Sequence, residues 1–365
     1  MNLFEEQRLV DVCSYLRSGK TITASEISTH GEYPVFGGNG CRGYTTHYNF
    51  SGDCAIIGRQ GAFCGNVRYF TGNAYMTEHA IIACANNKNN TRYLSYLLST
   101  MNLGRLSGQS AQPGLSVKYL SNVKIFIPSL NIQKKIVSVL SLLDDKIKLN
   151  NKINDNLQQQ AATLFANFYE QAETEVGFTE LVQILGGGTP KTGEKSYWNG
   201  KVLFFTPKDI GFPYTLSTEK TITEEGLAHC NSRLYPVNTV FVTARGTVGK
   251  IGMPGVPMAM NQSCYALIGK NTNQILVYFY TLKVVDRLKY KASGAVFDAI
   301  TTRDFKTESI FKLSDAHAEA FLNIARPIYR AILSNTFENQ QLTALRDFLL
   351  PKLISGELDV SELGI

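Results

Sequence analysis

Apolar residues recur at regular intervals through Ser129–Glu170, a long stretch that contains neither Gly nor Pro. Ser129, just ahead of the series, is of a type that caps helix N-termini. The spacing is built from steps of three and four residues, which places the series on one face of an α-helix. The pattern therefore predicts one long helix over 129–170. The members of the series are Ile132, Ile136, Val139, Leu140, Leu143, Ile147, Leu157, Leu164 and Phe168.

The same series returns near the end of the chain at an offset of 185 residues. A second long helix with the same apolar face is therefore predicted over 314–353. The corresponding positions are Ser129 and Ser314, Ile136 and Phe321, Leu140 and Ala325, Leu143 and Ile328, Ile147 and Ile332, Leu157 and Leu342, and Leu164 and Leu349.

Two asparagine pairs share this offset: Asn150 corresponds to Asn335, and Asn154 corresponds to Asn339. Asn150 and Asn335 interrupt the apolar series near the middle of each helix. If the helices pack antiparallel, we expect these two side chains to meet and to fix the register, as single buried asparagines do in coiled coils. The alternative is that both face water, and the sequence favours neither.

The segments that precede the two helices also resemble each other. Asp53–Gly65 and Asn238–Gly249 each read as a short apolar strand, then an arginine (Arg59 or Arg245), then a turn that contains Gly. We interpret the chain as two tandem units, each a globular domain followed by a long helix. The predicted fold is α+β: two mixed α/β domains held apart by an antiparallel pair of long helices, a coiled coil, with a pseudo-twofold internal repeat. The predicted boundaries are 1–128 and 171–313 for the domains, 129–170 for the first helix, and 314–365 for the second helix with the C-terminal tail.

Composition and charge are those of an ordinary folded, soluble protein, with 44% hydrophobic and 18% charged residues. The sequence shows no signal peptide and no apolar run long enough to cross a membrane. Its seven Cys include no CxxC pair, which favours reduced thiols in a cytoplasmic protein over disulfides or a zinc site. The net charge of +6 has the right sign for DNA binding, although simple solubility explains it equally well.

Two glycine motifs resemble ligand-binding loops without meeting their requirements. Phe36–Gly40 satisfies F-x-G-x-G, the turn with which adenine methyltransferases hold their methyl donor, but no helix pattern follows it. The Asn-Pro-Pro-aromatic motif of those enzymes is absent from the sequence. Gly188–Ser196 approaches a phosphate-binding loop, but Pro190 removes an amide and Glu194 would repel phosphate. The five His show no metal-ligand spacing, so we expect no catalytic site, no metal and no cofactor.

Five segments, taken in order, carry a resemblance to a known family. They are Tyr33–Tyr44 (YPVFGGNGCRGY), Pro128–Ile136 (PSLNIQKKI), Leu164–Phe168 (LFANF), Gly187–Pro190 (GGTP) and Leu349–Leu358 (LLPKLISGEL). Together with the order of domain, helix, domain and helix, they resemble the specificity subunit of type I restriction–modification systems. The resemblance extends over essentially the whole chain.

This resemblance implies that each domain reads one half of a bipartite site in double-stranded DNA. It also implies that the helices dock two DNA-adenine methyltransferase subunits and that motor-nuclease subunits join for cleavage, so that the methyl donor and ATP belong to partners. A helix of about 38 residues spans roughly 57 Å, between one and two turns of DNA. The second helix departs from the first: Leu313 and Ala318 replace Pro128 and Gln133, and Pro327 is expected to kink it, which puts symmetric docking in doubt. The alternatives are a stand-alone adenine methyltransferase and a coiled-coil scaffold that does not bind DNA.

Candidate DNA contacts follow from side-chain chemistry, because Arg pairs with guanine and Asn or Gln with adenine. Lys118 and Lys250 are assigned to phosphates, and Asp286–Lys291 is predicted to be a short basic helix. The predicted base-reading residues are Arg42, Tyr44, Arg59, Gln60 and Gln112 in the first domain, and Lys208, Arg245, Thr247, Asn261 and Gln262 in the second.

Overall fold

The computed structural model describes residues 4–107, 114–291 and 299–361. Its elements form an α+β fold with two sheet domains and two long helices, which confirms the predicted fold class. Before the first long helix the elements are β1 (Phe4–Arg8), α1 (Leu9–Val12), β2 (Cys13–Ser18), β3 (Tyr33–Gly37), β4 (Gly40–Thr45), β5 (Phe50–Gly58), β6 (Val67–Met76), β7 (Ala80–Ala85), α2 (Thr91–Thr100), α3 (Val117–Ser121) and β8 (Lys124–Pro128). From that helix on they are α4 (Leu130–Tyr169), β9 (Thr174–Gly177), α5 (Phe178–Leu181), β10 (Val182–Gly186), β11 (Trp198–Phe205), β12 (Tyr214–Thr215), β13 (Lys220–Ile222), α6 (Glu224–Ala228), β14 (Val240–Thr243), β15 (Ile251–Pro254), β16 (Met258–Met260), β17 (Cys264–Gly269), α7 (Gln274–Lys291), α8 (Thr302–Lys306), β18 (Ser309–Lys312) and α9 (Asp315–Ser355).

Contacts divide the chain into two compact units. Unit 1 contains the residues up to Lys146 and those from Leu342 on, and unit 2 is Ile147–Gln341. In unit 1, Ile136 of α4 and Leu353 of α9 are buried in one core with strands β5 and β7 and helix α2. In unit 2, Phe165 of α4 is buried with the first part of α9 and with α7. Each long helix therefore buries one part of its apolar face in unit 1 and another part in unit 2.

The two units share a strand arrangement. In unit 1 the strand order is β2-β7-β5-β6-β3-β4, and in unit 2 the related strands form the sheets β10-β17-β14-β15-β12 and β13-β11-β16. Strand β6 pairs with β5 along most of its length and with β3 at its last two residues. In unit 2 these two roles are split, because Gly255–Pro257 interrupt the strand: β15 pairs with β14, and β16 pairs with β11. Pro at such a position cannot donate a ladder hydrogen bond.

Helix α9 is unbroken across Pro327, where the sequence predicted a kink. Proline deprives the carbonyl of Asn323, one turn earlier, of its N–H partner. Both residues lie on the exposed face of the helix, so water can take the place of the missing donor.

The central asparagines of the helix pair form a polar network within unit 2. The Asn150 amide donates to Asn339 Oδ1 (2.9 Å) and Glu338 Oε2 (2.7 Å), and the Asn335 amide donates to Asn154 Oδ1 (2.8 Å). The helices are antiparallel here, because the partner number falls as the α4 number rises. The expected direct contact between Asn150 and Asn335 is therefore wrong. Asn150 instead contacts Asn339, one turn from Asn335, and Asn335 contacts Asn154, one turn from Asn150. The 185-residue offset relates these two contacts to each other.

We predict that the Asn150–Asn339 contact is strongly coupled. Asn150 is 1% exposed, so Asn150→Leu should remove the donor to Asn339 Oδ1 and lower the free energy of unfolding by about 1–3 kcal/mol. Adding Asn339→Leu should recover much of that loss, because an apolar pair can replace a buried polar one. A double-mutant cycle by denaturant unfolding measures the coupling. Asn156→Leu, at an exposed position on the same helix, is the control, and additive effects in the cycle would contradict the prediction.

Candidate nucleic-acid interface

Three backbone segments meet at the end of β5 in unit 1. The Arg59 N–H donates to the His79 carbonyl (2.9 Å), and the Arg59 carbonyl accepts from Leu115 N–H (2.8 Å). The third segment is the β3–β4 turn, where a methyl group on Gly38 would stand 3.0 Å from the His79 oxygen. We name the residues Gly38, Arg59, Gln60 and Thr77–His79 apex 1.

Unit 2 repeats this crossing at the end of β14. The Ala244 N–H donates to the Ser263 carbonyl (2.8 Å), and the Ala244 carbonyl accepts from Ile300 N–H (3.0 Å). We name Ala244, Arg245 and Asn261–Ser263 apex 2. The strand next to each crossing is fixed in the same way, because Thr77 N–H donates to Phe36 (2.9 Å) in unit 1 and Asn261 N–H donates to Phe205 (2.9 Å) in unit 2.

The shared hydrogen bonds decide which residues correspond. Arg59 occupies the position of Ala244, and Gln60 occupies that of Arg245; both Gln60 and Arg245 form a single β-bridge, to Gly114 and to Ala299. The correspondence of Arg59 with Arg245 suggested by the sequence is therefore wrong by one residue. The structural offset between corresponding residues is 185, as in the helices. The sequence comparison instead aligned the two arginines that precede the glycine-containing turns, which are 186 residues apart.

Two glycines allow a close backbone approach beside these crossings. A methyl group on Gly19 would stand 2.1 Å from the Met76 carbonyl oxygen, and one on Gly187 would stand 2.1 Å from the Asn261 carbonyl oxygen. Both glycines precede a residue that donates to the last residue of the neighbouring strand: Lys20 donates to Met76, and Gly188 donates to Met260. Any larger residue would displace the segment that carries the apex, which explains why glycine occupies both positions.

In apex 1 a polar chain connects Gln60, His79 and Glu78. Gln60 Oε1 lies 3.1 Å from His79 Nδ1, and His79 Nε2 lies 3.1 Å from Glu78 Oε1. Gln60 is exposed, whereas the half-buried Arg59 donates to the Glu78 carbonyl (3.3 Å). Arg59 therefore braces the apex, and Gln60 presents its amide at the surface.

Two further arginines lie beside apex 1. Arg42 is exposed on β4, and its Cδ would stand 2.8 Å from a methyl group on Gly37. Arg68, which the sequence analysis missed, lies against Gly40, a residue with φ of +105° that requires glycine. Tyr44 is exposed on β4, the edge strand of the sheet. His79 and Arg68 carried no signal beyond residue type, because only the fold brings them to this point.

Two predicted residues of the first domain remain to be placed. Lys118 lies on the short helix α3 and lines a separate cavity of about 650 Å³ with Tyr119 and Asn122. Gln112 lies outside the described residues.

The loop after apex 2 is fixed by Thr243. Its hydroxyl donates to the Thr247 carbonyl and accepts from Lys250 N–H (2.9 Å), and its carbonyl accepts from Gly249 N–H (2.8 Å). The side chains of Arg245, Thr247 and Lys250 are all exposed. The structure therefore brings three of the predicted residues together on one rigid loop.

The other predicted residues of the second domain differ in their contacts. Asn261 is half-buried, and its Oδ1 accepts from Ser263 N–H (3.0 Å), so this side chain braces the turn. Gln262 is exposed and accepts from the Thr189 hydroxyl. Lys208 is exposed on a turn held by Asp209, whose carboxylate accepts from Thr206 N–H (2.7 Å) and Glu219 N–H (2.7 Å).

The described residues offer little for catalysis. Burial raises the pKa of Cys13 and of Cys264 to about 12, so neither thiol is a ready nucleophile. Among the described residues no group of His, Cys, Asp and Glu side chains could hold a metal ion. The F-x-G-x-G stretch Phe36–Gly40 forms the β3–β4 hairpin turn and does not open a helix. Across residues 4–107, 114–291 and 299–361, no helix is both long and apolar enough to cross a bilayer.

Comparison with known proteins places these features in context. Residues 1–159 and 174–311 match the family model described as "Type I restriction modification DNA specificity domain". The specificity subunit of the type I restriction enzyme EcoprrI from Escherichia coli is 41% identical over 133 residues, which cover 35% of this chain and 33% of that protein. The HindI specificity subunit from Haemophilus influenzae is 23% identical over 67% of this chain and 71% of its own length. The chain thus spans about a third of the first relative and 71% of the second.

A crystal structure shares the fold. The S subunit of a type I restriction–modification system from M. genitalium superimposes with a TM-score of 0.64 and 15% identity, over 96% of both chains.

Proposed function

This chain belongs to the type I restriction–modification DNA specificity family, and we propose that it is the DNA-reading subunit of such a system. Its target-recognition domains, at 1–128 and 171–313, each read one half of a bipartite site in double-stranded DNA. The observation that carries this proposal is the doubled apex. The same backbone crossing occurs in both units, yet it presents Gln60, Glu78 and His79 in one and Arg245, Gln262 and Ser263 in the other.

The exposed side chains of the two apices have the chemistry of base readers. The Arg245 guanidinium is suited to guanine, and the amides of Gln60 and Gln262 are suited to adenine. Arg59 and Asn261 brace the apices from within, so we assign them to positioning. Arg42, Tyr44, Thr247 and Lys208 stay candidates for base contacts, and Lys118 and Lys250 stay candidates for phosphate.

The long helices are the proposed docking surface for two DNA-adenine methyltransferase subunits. In unit 1, Leu142 of α4 is 70% exposed and Phe348 of α9 is 60% exposed. Large apolar side chains at such exposure offer contact area to a protein partner. Motor-nuclease subunits would join the same cytoplasmic complex, and the partners would supply the methyl donor and ATP.

Selection from a random duplex library tests the proposal. The full chain is purified with a type I methyltransferase subunit, and bound DNA is sequenced after several rounds. We expect an interrupted motif, two short specific segments separated by unread base pairs. A short continuous motif, or methyl transfer by the chain alone, would contradict the proposal.

A further inference from the structure

Unit 2 presents a phenylalanine at the tip of a fixed loop. Phe212 is 70% exposed, a level that is unusual for so large an apolar side chain. The loop itself is held in place: Gly211 N–H donates to the Thr215 hydroxyl (2.8 Å), and a methyl group on Gly211 would stand 2.3 Å from the Tyr214 carbonyl oxygen. The ring is therefore held out on a rigid support.

Phe212 borders a cleft of about 350 Å³. Ile210, Ile251 and Leu282 form its apolar walls, and Lys250, Lys289 and Asp286 supply its charges. Lys250 ends the loop that carries Arg245 and Thr247, so this loop connects apex 2 to the cleft. The remaining lysine comes from α7, which the sequence had predicted only as a short basic helix at Asp286–Lys291 and which in fact begins at Gln274.

Of the three cations near the end of α7, two share one carboxylate partner and the third points elsewhere. Arg287 and Lys291 both contact the buried carboxylate of Glu308. Lys289 turns the other way, onto Gly249, where a methyl group would stand 2.6 Å from its Cε. Among the described residues neither Lys289 nor Lys250 forms an ion pair, and Asp286 is the single carboxylate residue that lines the cleft. The cleft therefore holds two ammonium groups outside any ion pair and one carboxylate, beside an exposed aromatic ring.

We propose that this cleft, which we name the flank cleft, binds the DNA backbone next to the half-site that apex 2 reads. The inference rests on the proposed function and adds a contact outside the base-reading residues. Lys250 and Lys289 bind phosphates, and the Phe212 ring packs on a deoxyribose or on the edge of the adjoining base. Positive charge without a partner fits a polyanion, whereas a protein partner of comparable area would need matching carboxylates.

The test uses the full chain bound to its methyltransferase subunit, with a duplex that carries the selected target and with an unrelated duplex of equal length. Lys289→Gln should weaken binding to both duplexes about three- to tenfold and lower the slope of log K against log salt by about 1. Lys289→Arg, which keeps the positive charge, should retain the wild-type affinity for both duplexes and the wild-type salt slope. Phe212→Ala should weaken binding to both duplexes while it leaves the salt slope unchanged.

Lys283→Gln is the matched control, because Lys283 is an exposed lysine of the same helix that lies over the Tyr169 ring instead of in the cleft. It should leave DNA affinity at the wild-type value. Thermal melting checks that every variant stays folded. Shortening the target duplex from either end should, at one end only, remove the difference between wild type and Lys289→Gln.

Two outcomes overturn the inference. One is unchanged affinity and salt slope for Lys289→Gln. The other is loss of the methyltransferase subunit from Lys289→Gln or Phe212→Ala complexes with DNA affinity per complex preserved, which would show that the cleft docks protein. Failure of the proposed function looks different: the wild-type complex would show no preference for any target. In that case, the loss of affinity for the unrelated duplex that Lys289→Gln causes still tests whether the cleft binds DNA.

Discussion

Replacing Gln133 with leucine is expected to lower the free energy of unfolding of unit 1 by about 2–4 kcal/mol. Gln133 is completely buried near the start of α4. Its Oε1 accepts from Asn90 N–H (2.8 Å), and its Nε2 donates to Asn89 Oδ1 (2.8 Å) and to the Pro128 carbonyl (2.9 Å). Leucine fills a similar volume but removes all three hydrogen bonds to Asn89, Asn90 and Pro128.

The shift of the denaturant midpoint measures this loss. Gln159→Leu, at an exposed position of the same helix, should change stability by less than about 0.5 kcal/mol. Equal effects of the two substitutions would show that the Gln133 contacts are dispensable. Because Ala318 occupies the corresponding position of α9, this connection between helix and domain is confined to unit 1.

Arg245→Ala is expected to abolish discrimination at one base pair of one half-site and to weaken binding to the selected target about 10- to 100-fold. The side chain is exposed at apex 2, and an arginine loses a bidentate contact when it is truncated. Sequencing of selected DNA measures the change, and the other half of the motif should be unaffected.

Arg59→Ala provides the contrast. The Arg59 guanidinium donates to the Glu78 carbonyl and lies in the position of Ala244, so its loss should weaken apex 1 without relaxing one base pair. If Arg59→Ala relaxed a single position while Arg245→Ala did not, the assignment of reading and bracing roles would be reversed.

The long helices were predictable because their evidence is local. An apolar stripe at helical spacing predicts a helix from local sequence alone, even in α9, which contains Pro327. Helices α4 and α9 end within two residues of the predicted limits. Helix α7 was recognised only at its basic end, because Gln274–Val285 is largely buried and shows no polar face.

The two apices depend on contacts between distant segments, which local patterns cannot give. Arg59, for example, is placed by hydrogen bonds to His79 and Leu115. Residue type alone therefore selected Gln60, Arg245 and Gln262 as candidates, and the structure places them at the apices. The sequence did not select His79 and Arg68, and it mispaired Arg59 with Arg245. The partners of Asn150 and Asn335 were missed for the same reason, since the stagger of two packed helices is set by their whole interface.

Because backbone hydrogen bonds form the two crossings, we expect the exposed side chains at positions 60, 245 and 262 to vary with little cost to the architecture. A library randomised at these three codons should keep the fold in most members. Under the proposed function, substitutions at one apex should change one half of the DNA target and leave the other half unchanged.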